Sequence, residues 1–365
     1  MQIEKIRVDG FRNLASTELT FSPGINLITG QNGQGKTNLL EAVVFLGSTK
    51  SFRTSRSREA IAWGGGSFAV SGDISDRAGS LNLKLVVGAK GKEASVHGKR
   101  VESAQDYLGR LITVTFSPQD LELVRGGPAE RRALIDRHSV DISPPLMLSL
   151  INYSRALRAK AALIKQGEVR YRAIEPWNQI LAREMLIITA ARDRFVRELA
   201  PRAALCYEQF SSTQAERFGC SYRSSVVGYS SEEELLRALE RDFSSEISSR
   251  SLRLGIHRDD LILSLNGKGA RQFASQGQAR SMVLALKLAI LEMLEATRHE
   301  SPVVLLDDVD AELDSHRADH FFRLMMDQGR QVLVTSTDAY HGVLKSDSAV
   351  TVFEVVSGVV RGSAL

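Results

Sequence analysis

Cysteine is almost missing. Cys206 and Cys220 are the only two in 365 residues, with no CxxC and no paired histidines beside them, so neither a disulfide framework nor a cysteine zinc site is supported. Both are expected to be buried free thiols. No apolar run reaches the length of a membrane span. The opening MQIEKIRVDGFRN carries acids and bases where a signal peptide would be apolar, so a cytoplasmic chain with no membrane contact is expected. Excess charge of one sign is also slight: 47 Lys and Arg face 43 Asp and Glu, a net of +4, too little by itself to demand a polyanionic partner. A hydrophobic content of 43% excludes a disordered tail and allows one large domain or two to three smaller ones.

Against these absences stands INLITGQNGQGKTNLLEAVVFL, Ile25 to Leu46. Gly30-Gln31-Asn32-Gly33-Gln34-Gly35-Lys36-Thr37 fits G-x-x-x-x-G-K-[ST]. Glycines allow backbone N–H groups to turn inward around phosphates, the lysine neutralises the β/γ oxygens, and the Thr37 hydroxyl is suited to Mg²⁺. The context agrees. Ile25, Leu27 and Ile28 predict a buried strand, and Leu39, Leu40, Ala42, Val43 and Leu46 recur at helical spacing, which sets a helix N-terminus against the anion.

Far downstream, SPVVLLDDVDAELD predicts an apolar strand, Val303 to Leu306, ending in Asp307 and Asp308. Carboxylates at a strand's C-terminal end lie where α/β sheets bind ligands. Asp307 is placed to hold hydrated Mg²⁺, and Asp308 to orient or deprotonate an attacking water; two acids after a strand can also simply form a turn. Compact P-loop kinases and GTPases bring the acidic strand much sooner, so most of this chain is inserted between two halves of one nucleotide site.

A third stretch, ASQGQARSMVLALKLAILEML, predicts a buried helix entered at Ser275-Gln276-Gly277-Gln278. Ser275 reads as its N-cap, either as ordinary capping or as a second phosphate-facing helix terminus. Phosphate loop, long insert, SQGQ, Asp-ended strand and AELD occur in an order that resembles the ABC-type ATPase heads. The resemblance implies ATP and Mg²⁺, and a head-to-head homodimer formed on ATP, each nucleotide held between one copy's phosphate loop and the other's Ser275, Gly277 and Gln278. It also assigns Gln119 in FSPQDLELV as a Mg²⁺ and γ-phosphate sensor, counts Asn38 and Arg12 among the nucleotide contacts, and places Glu312, Leu313 and Asp314 in the loop that crosses the dimer. VLVTSTDAY puts Thr337 where such heads carry a switch histidine.

Within those heads the chain resembles the RecF family over its whole length. The carrying segments are GFRN (Gly10 to Asn13), GQNGQGKTN, SFRT (Ser51 to Thr54), FSPQDLELVRGGPAERR, HRDDL (His257 to Leu261), ASQGQAR and LLDDVDAELD. Ile256 departs from the proline common before HRDD. HRDDL also echoes the protein-kinase catalytic loop, but no DFG or VAIK partner exists and the second aspartate breaks the spacing. The resemblance implies a weak DNA-stimulated ATPase that binds single-strand/double-strand junctions and gapped DNA, works with RecR and RecO, and helps load RecA in repair, replication restart and the SOS response. Two rivals stay open: a transporter-type or translation-factor ATPase indifferent to DNA, and an ATP-gated DNA clamp that does not hydrolyse.

The expected fold is α/β, an ABC-type head with mixed and antiparallel sheet: residues 1–117 and 219–365 form the head, and 118–218 a helical insert. Hairpins are expected between Phe68 and Val101. No heptads are sustained in the insert, and Pro144, Pro145, Pro176 and Pro201 are expected to cut its helices short. From Arg125 to Arg172 ten Lys and Arg face four Asp and Glu, a local excess larger than that of the whole chain. Arg131, Arg132, Arg155 and Arg158 there, with Arg53 and Arg56 in SFRTSRSRE, are the candidate DNA contacts, against the plainer reading of solvated surface; Arg53 is equally a nucleotide candidate. After Pro145, Leu146, Leu150, Tyr153, Leu157, Ala161 and Ile164 predict the buried stripe of a helix.

Overall fold

In QIEKIRVD every second or third side chain is apolar, and these sink into the core while the charged ones face water, the pattern of a half-buried strand. This is β1, Gln2–Asp9, in a computed structural model that describes residues 1–54, 56–167, 169–211, 215–308, 321, 323–325, 329–337 and 350–363. There follow β2 (Thr17–Thr20), β3 (Ile25–Thr29), α1 (Lys36–Ser48), β4 (Phe68–Asp76), β5 (Gly79–Gly88), β6 (Gly91–Val96), β7 (Lys99–Arg100) and β8 (Thr113–Phe116). Next come α2 (Glu122–Arg125), α3 (Pro128–Ile142), α4 (Leu146–Gln166), α5 (Tyr171–Phe210), β9 (Phe218–Arg223), α6 (Glu232–Ser249), β10 (Asp260–Leu265), β11 (Lys268–Gly269) and α7 (Ala270–Phe273). The chain closes with α8 (Gln276–Arg298), β12 (Val303–Leu306), β13 (Val332–Ser336), β14 (Val350–Val356) and β15 (Val359–Ser363).

Met1–Leu121 and Gln276–Leu365 form one unit, and Glu122–Ser275 a second. The first unit thus combines both chain ends, and the second runs to Ser275, whereas the sequence reading sets the far boundary of the insert at 218. The reason is pairing: β9 lies antiparallel to β10, Phe218 opposite Leu265 and Arg223 opposite Asp260, so residues 218–265 are tied to the insert by backbone hydrogen bonds.

In the first unit a sheet ordered β15-β14-β3-β13-β12-β8 is parallel from β14 to β8, with β15 antiparallel at the edge. Its central strands INLIT, VVLL and VLVTS are buried along their whole length, as sheets covered on both faces require. An antiparallel sheet, β2-β1-β4-β5-β6-β7, contains the expected hairpins. Helix α1 shares one core with both sheets: Leu40, Val44 and Phe45 pack with Ile6, Val8 and Val70 on one hand and Ile28, Leu305 and Phe353 on the other. Phe11, Phe45 and Phe68 meet edge to face at centroid distances of 5.5, 4.9 and 5.3 Å. Truncating one of them to alanine is worth about 3–5 kcal/mol.

The second unit corrects two expectations. Pro144 and Pro145 do separate α3 from α4, but Pro176 and Pro201 both lie inside α5, which runs unbroken for 40 residues. Each proline removes one helical N–H and costs about 3 kcal/mol. Burial of Ile174, Leu181, Met185, Ile188, Phe195 and Leu199 along one stripe, at about 1.5–3 kcal/mol each, outweighs that loss. In α4 the buried stripe is Leu146, Tyr153, Ala156, Lys160 and Ile164, while Leu150, Leu157 and Ala161 are only half-buried. A lysine therefore sits inside: Lys160 is 1% exposed and its Nζ lies 2.8 Å from the buried Glu246 Oε2 of α6.

Cys206 is buried, but Cys220 is only half-buried. Desolvation pushes the Cys220 thiol up to about 12, so it stays protonated and unreactive at neutral pH. Among the described residues no helix is long and apolar enough to cross a membrane.

Candidate nucleotide site

The C-terminal ends of β3, β13, β12 and β8 lie along one edge of the parallel sheet, where open α/β sheets bind ligands. The turn after β3 begins at Gly30, with φ +144; a Cβ there would stand 2.4 Å from the Val355 carbonyl oxygen on β14. Gly35 closes the loop at φ +120, where a Cβ would press within 2.9 Å of Asn13 Oδ1. Both positions exclude any side chain, because the left-handed backbone and the close neighbour act together. Lys36 then opens α1.

Lys36 is 4% exposed. Its Nζ donates to the Gly30 carbonyl at 2.7 Å, and lies 3.3 Å from the Gln31 carbonyl and 3.4 Å from Asn32 Oδ1, so the ammonium is held inside the loop. Thr37 Oγ1 donates to Asp307 Oδ1 at 2.8 Å, a contact between side chains 270 residues apart. Asp307 N–H donates to the Phe116 carbonyl of β8 at 2.8 Å, and its carboxylate accepts a second hydroxyl from Thr335 on β13 at 2.9 Å. Burial raises the Asp307 pKa above its ordinary value, with the hydrogen bonds from Thr37 and Thr335 working against the rise. One carboxylate and one hydroxyl, both oxygen donors, fit Mg²⁺, which takes one or two carboxylates and leaves its other positions to phosphate oxygens and water. Asp308 follows at φ +46, a left-handed conformation that aspartate tolerates better than most residues, and its N–H donates to Thr335 Oγ1 at 2.9 Å.

Arginine and asparagine brace the loop from outside. Asn13 donates to the Gly33 and Gln34 carbonyls at 3.3 Å each and accepts from Asn38 Nδ2 at 2.7 Å. Glu41, fully buried in α1, receives Arg12 through two bonds, Nη2 at 2.8 Å and Nε at 3.1 Å. Arg53 Nη1 lies 3.5 Å from the same carboxylate and donates to Asn38 Oδ1 at 2.8 Å. Arg53 thus belongs to the loop's surroundings. Gln34 is tied to the β14–β15 turn: its carbonyl accepts from Gly358 N–H at 2.9 Å and its side chain from Ser357 N–H.

Gln119 is exposed on a short 3-10 turn, Pro118–Leu121, directly after β8. Asp120 fixes that turn by accepting from Ser117 N–H at 2.8 Å, and Lys287 of α8 reaches Asp120 at 2.7 Å and the Thr115 carbonyl at 2.8 Å. Ser275 immediately precedes α8 and is exposed, with Gly277 and Gln278 half-buried in its first turn. Thr337 follows β13, its carbonyl accepting from Ser336 Oγ. Glu312, Leu313 and Asp314 lie outside the described residues.

Sequence reasoning missed Thr335, Glu41 and Lys287. A hydroxyl in a strand without exposed positions, and a charge flanked by apolar residues within a buried stretch of helix, were the available signals, because each must find a partner. It also overreached at Arg131. That guanidinium is 8% exposed and clasps Asp260 through Nε at 2.7 Å and Nη2 at 3.1 Å, so it is a core residue of the second unit and not a DNA contact. Arg132 is half-buried and donates to the Asp259 carbonyl at 2.8 Å. Arg56, Arg155 and Arg158 are exposed.

The profile described as RecF/RecN/SMC N terminal domain matches residues 2–361. The chain is 34% identical over 377 residues to the DNA replication and repair protein RecF of Natranaerobius thermophilus, covering 98% of this chain and 97% of that one. It is 37% identical over 369 residues to the same protein of Anaeromyxobacter dehalogenans, covering 99% of each. The chain belongs to the RecF family. A solved structure of the recombination mediator RecF with an ATP analogue, in the RecFOR pathway, superimposes with TM-score 0.88 at 30% identity, over 100% of this chain and 98% of that one. An SMC head bound to the C-winged helix domain of ScpA shares the fold, with TM-score 0.56 at 16% identity over 100% of this chain and 98% of that one. The fold is thus the ABC-type ATPase head of the RecF and SMC proteins, and the glycine-rich loop, the Thr37 hydroxyl and the Asp307 carboxylate meet at the ligand-binding edge of its parallel sheet.

Proposed function

We propose that this chain is an ATP-dependent DNA-binding recombination mediator: it closes as a homodimer on ATP at single-strand/double-strand junctions or gaps and, with RecO and RecR, helps load RecA. The observation that carries the reading is the 2.8 Å bond between Thr37 and Asp307, which joins the phosphate loop to a strand from the other end of the chain. Membership of the RecF family supports the DNA and partner assignments.

Bound Mg²⁺ supplies charge neutralisation at the β- and γ-phosphates. Asp307, Thr37 and Gln119 would hold it, Gln119 also sensing the γ-phosphate. Lys36 and the backbone N–H groups of the loop and of the first turn of α1 bind the phosphates. Arg12 and Arg53, oriented by Glu41, add positive charge beside the loop. Asp308 orients a water for attack on the γ-phosphorus and takes its proton as ADP leaves. Ser275, Gly277 and Gln278 of a second copy cap the phosphates from the opposite side, so ATP binding and dimer closure are one equilibrium, and DNA and ATP affinities are reciprocally coupled. Hydrolysis reopens the dimer and is slow and DNA-stimulated.

ATP turnover and molecular mass, each with and without gapped DNA, test this in the parent and three variants. Lys36→Met should lose turnover by about a hundredfold or more. Ser275→Arg should lose the ATP-dependent dimer, and Asp308→Asn should keep that dimer while hydrolysis nearly disappears. Turnover indifferent to DNA, from a monomer indifferent to ATP, would refute the reading.

A further inference from the structure

Trp63 is fully exposed, at 102% of its reference area, although it stands on an ordered turn. Ala62-Trp63-Gly64-Gly65 is closed by Gly65 N–H donating to the Ala62 carbonyl at 2.9 Å, with Gly64 at φ +76 as such a turn requires. The turn is anchored from behind: Ala62 N–H donates to the Gly10 carbonyl at 2.8 Å, and Ile61 bridges to Phe11. Its far end rests on the β5–β6 hairpin, where a Cβ added to Gly88 would lie 3.2 Å from Ser67 Cβ. An indole held outward by a fixed backbone loses little entropy when a partner covers it.

The surroundings are basic. Arg58 reaches across to the Ala89 carbonyl on the hairpin, whose tip carries exposed Lys90, while Lys92 beside it donates to the Thr49 carbonyl. Arg56 is 83% exposed. The nearby acids are engaged: Glu59 accepts from Thr54 and lies 3.9 Å from Arg56, and Glu93 lies 3.7 Å from Arg100. An exposed aromatic face on a segment that also carries exposed Arg56 and Arg58, and that abuts the hairpin bearing Lys90, fits a strand that offers both bare bases and phosphates. In a duplex the faces of the bases are already stacked on one another, so only unpaired bases can use the ring.

We propose that Trp63 is a stacking platform for an unpaired base of single-stranded DNA, with Arg56, Arg58 and Lys90 holding the flanking phosphates. The proposal rests on the DNA-binding reading above and adds which part of a junction this face receives.

Trp63 and Trp177 are the only tryptophans, so full-length Trp177→Phe leaves Trp63 as the sole indole reporter. An oligothymidylate should quench its fluorescence, while an abasic strand of the same length should bind in a salt-sensitive way without quenching. Trp63→Ala should weaken binding to a duplex with a single-stranded arm by about tenfold and Trp63→Phe much less, with blunt-duplex affinity and the ATP turnover measured without DNA unchanged. Binding of the oligothymidylate without quenching, and equally well by Trp63→Ala, overturns the stacking role while leaving DNA binding intact. Absence of binding to any strand or duplex removes the DNA-binding reading as well. A blue shift on ATP alone with no response to oligothymidylate assigns the ring to a contact between copies and overturns the proposal.

Discussion

Beside the phosphate loop, Glu41 is fully buried while its partners Arg12 and Arg53 keep 22% and 36% of their side chains exposed. In the second unit Arg131 and Arg192 keep 8% and 4%, and the acids Asp259 and Asp260 no more than 6%. Arg192 holds Asp136 through two bonds at 2.8 and 2.9 Å and Asp259 at 2.8 Å, and Asp259 also accepts from Tyr222. Desolvation works to lower the Arg192 pKa, but Asp136 and Asp259 outweigh it and raise the value. Both clusters are made of arginine and carboxylate, yet they serve different ends. Where the arginines are enclosed on every side, the ions hold helices and strands together. Where the carboxylate is buried and the arginines project, the acid fixes positive charge at the surface beside the phosphate loop.

The contrast can be broken most forcefully at Arg192. Arg192→Ala should leave Asp136 and Asp259 as uncompensated charges and lower unfolding free energy by about 3–5 kcal/mol in urea titrations. A loss below about 1 kcal/mol would mean the enclosed cluster is not structural. Glu41→Gln keeps the shape but loses the charge that orients Arg12 and Arg53; KM for ATP should rise several-fold with kcat changed less, and an unchanged KM would deny the aiming role.

Asp307 sharpens the comparison, since it carries a charge in the ligand-facing cluster that no arginine encloses. Burial raises its pKa, so the stability it contributes is fully present below the ordinary aspartate range and is lost as pH rises through the folded value. Asp307→Asn should therefore raise the melting temperature at neutral pH, with the gain vanishing in acid, while ATP turnover is lost. The smallest effect is expected on the open face of α4: Arg155→Ala and Arg158→Ala should change stability by no more than about 0.5 kcal/mol. For each phosphate contact removed, the salt dependence of DNA affinity should fall by about 0.9 in its logarithmic slope.

The parts of the site that follow from local chemistry were readable in the sequence. Gly30 to Thr37 demand a strand, a turn open to positive φ and a helix, and INLIT, the loop and α1 appear in that order. VVLLDD likewise had to be a buried strand, because four apolar residues before two acids have no other way to hide. For Thr335 and Lys287 the need for a partner was readable but the partner was not, since a hydroxyl or an ammonium acquires its role from a neighbour far along the chain. The charged stretch around Arg131 misled for the same reason. Counting charge in sequence gives their number but not the carboxylates folded against them, and Asp260 lies on a strand more than a hundred residues away.

By itself the sequence determined the nucleotide chemistry and the RecF-type order of motifs, because phosphate, Mg²⁺ and a buried sheet each impose residue types at short spacing. Only the tertiary structure decided where the insert ends, that α5 runs through two prolines, and which arginines are enclosed and which remain available to a ligand. Those outcomes depend on long-range burial, where the packing of one stripe outweighs a local breaker and one distant carboxylate turns a surface charge into a core residue.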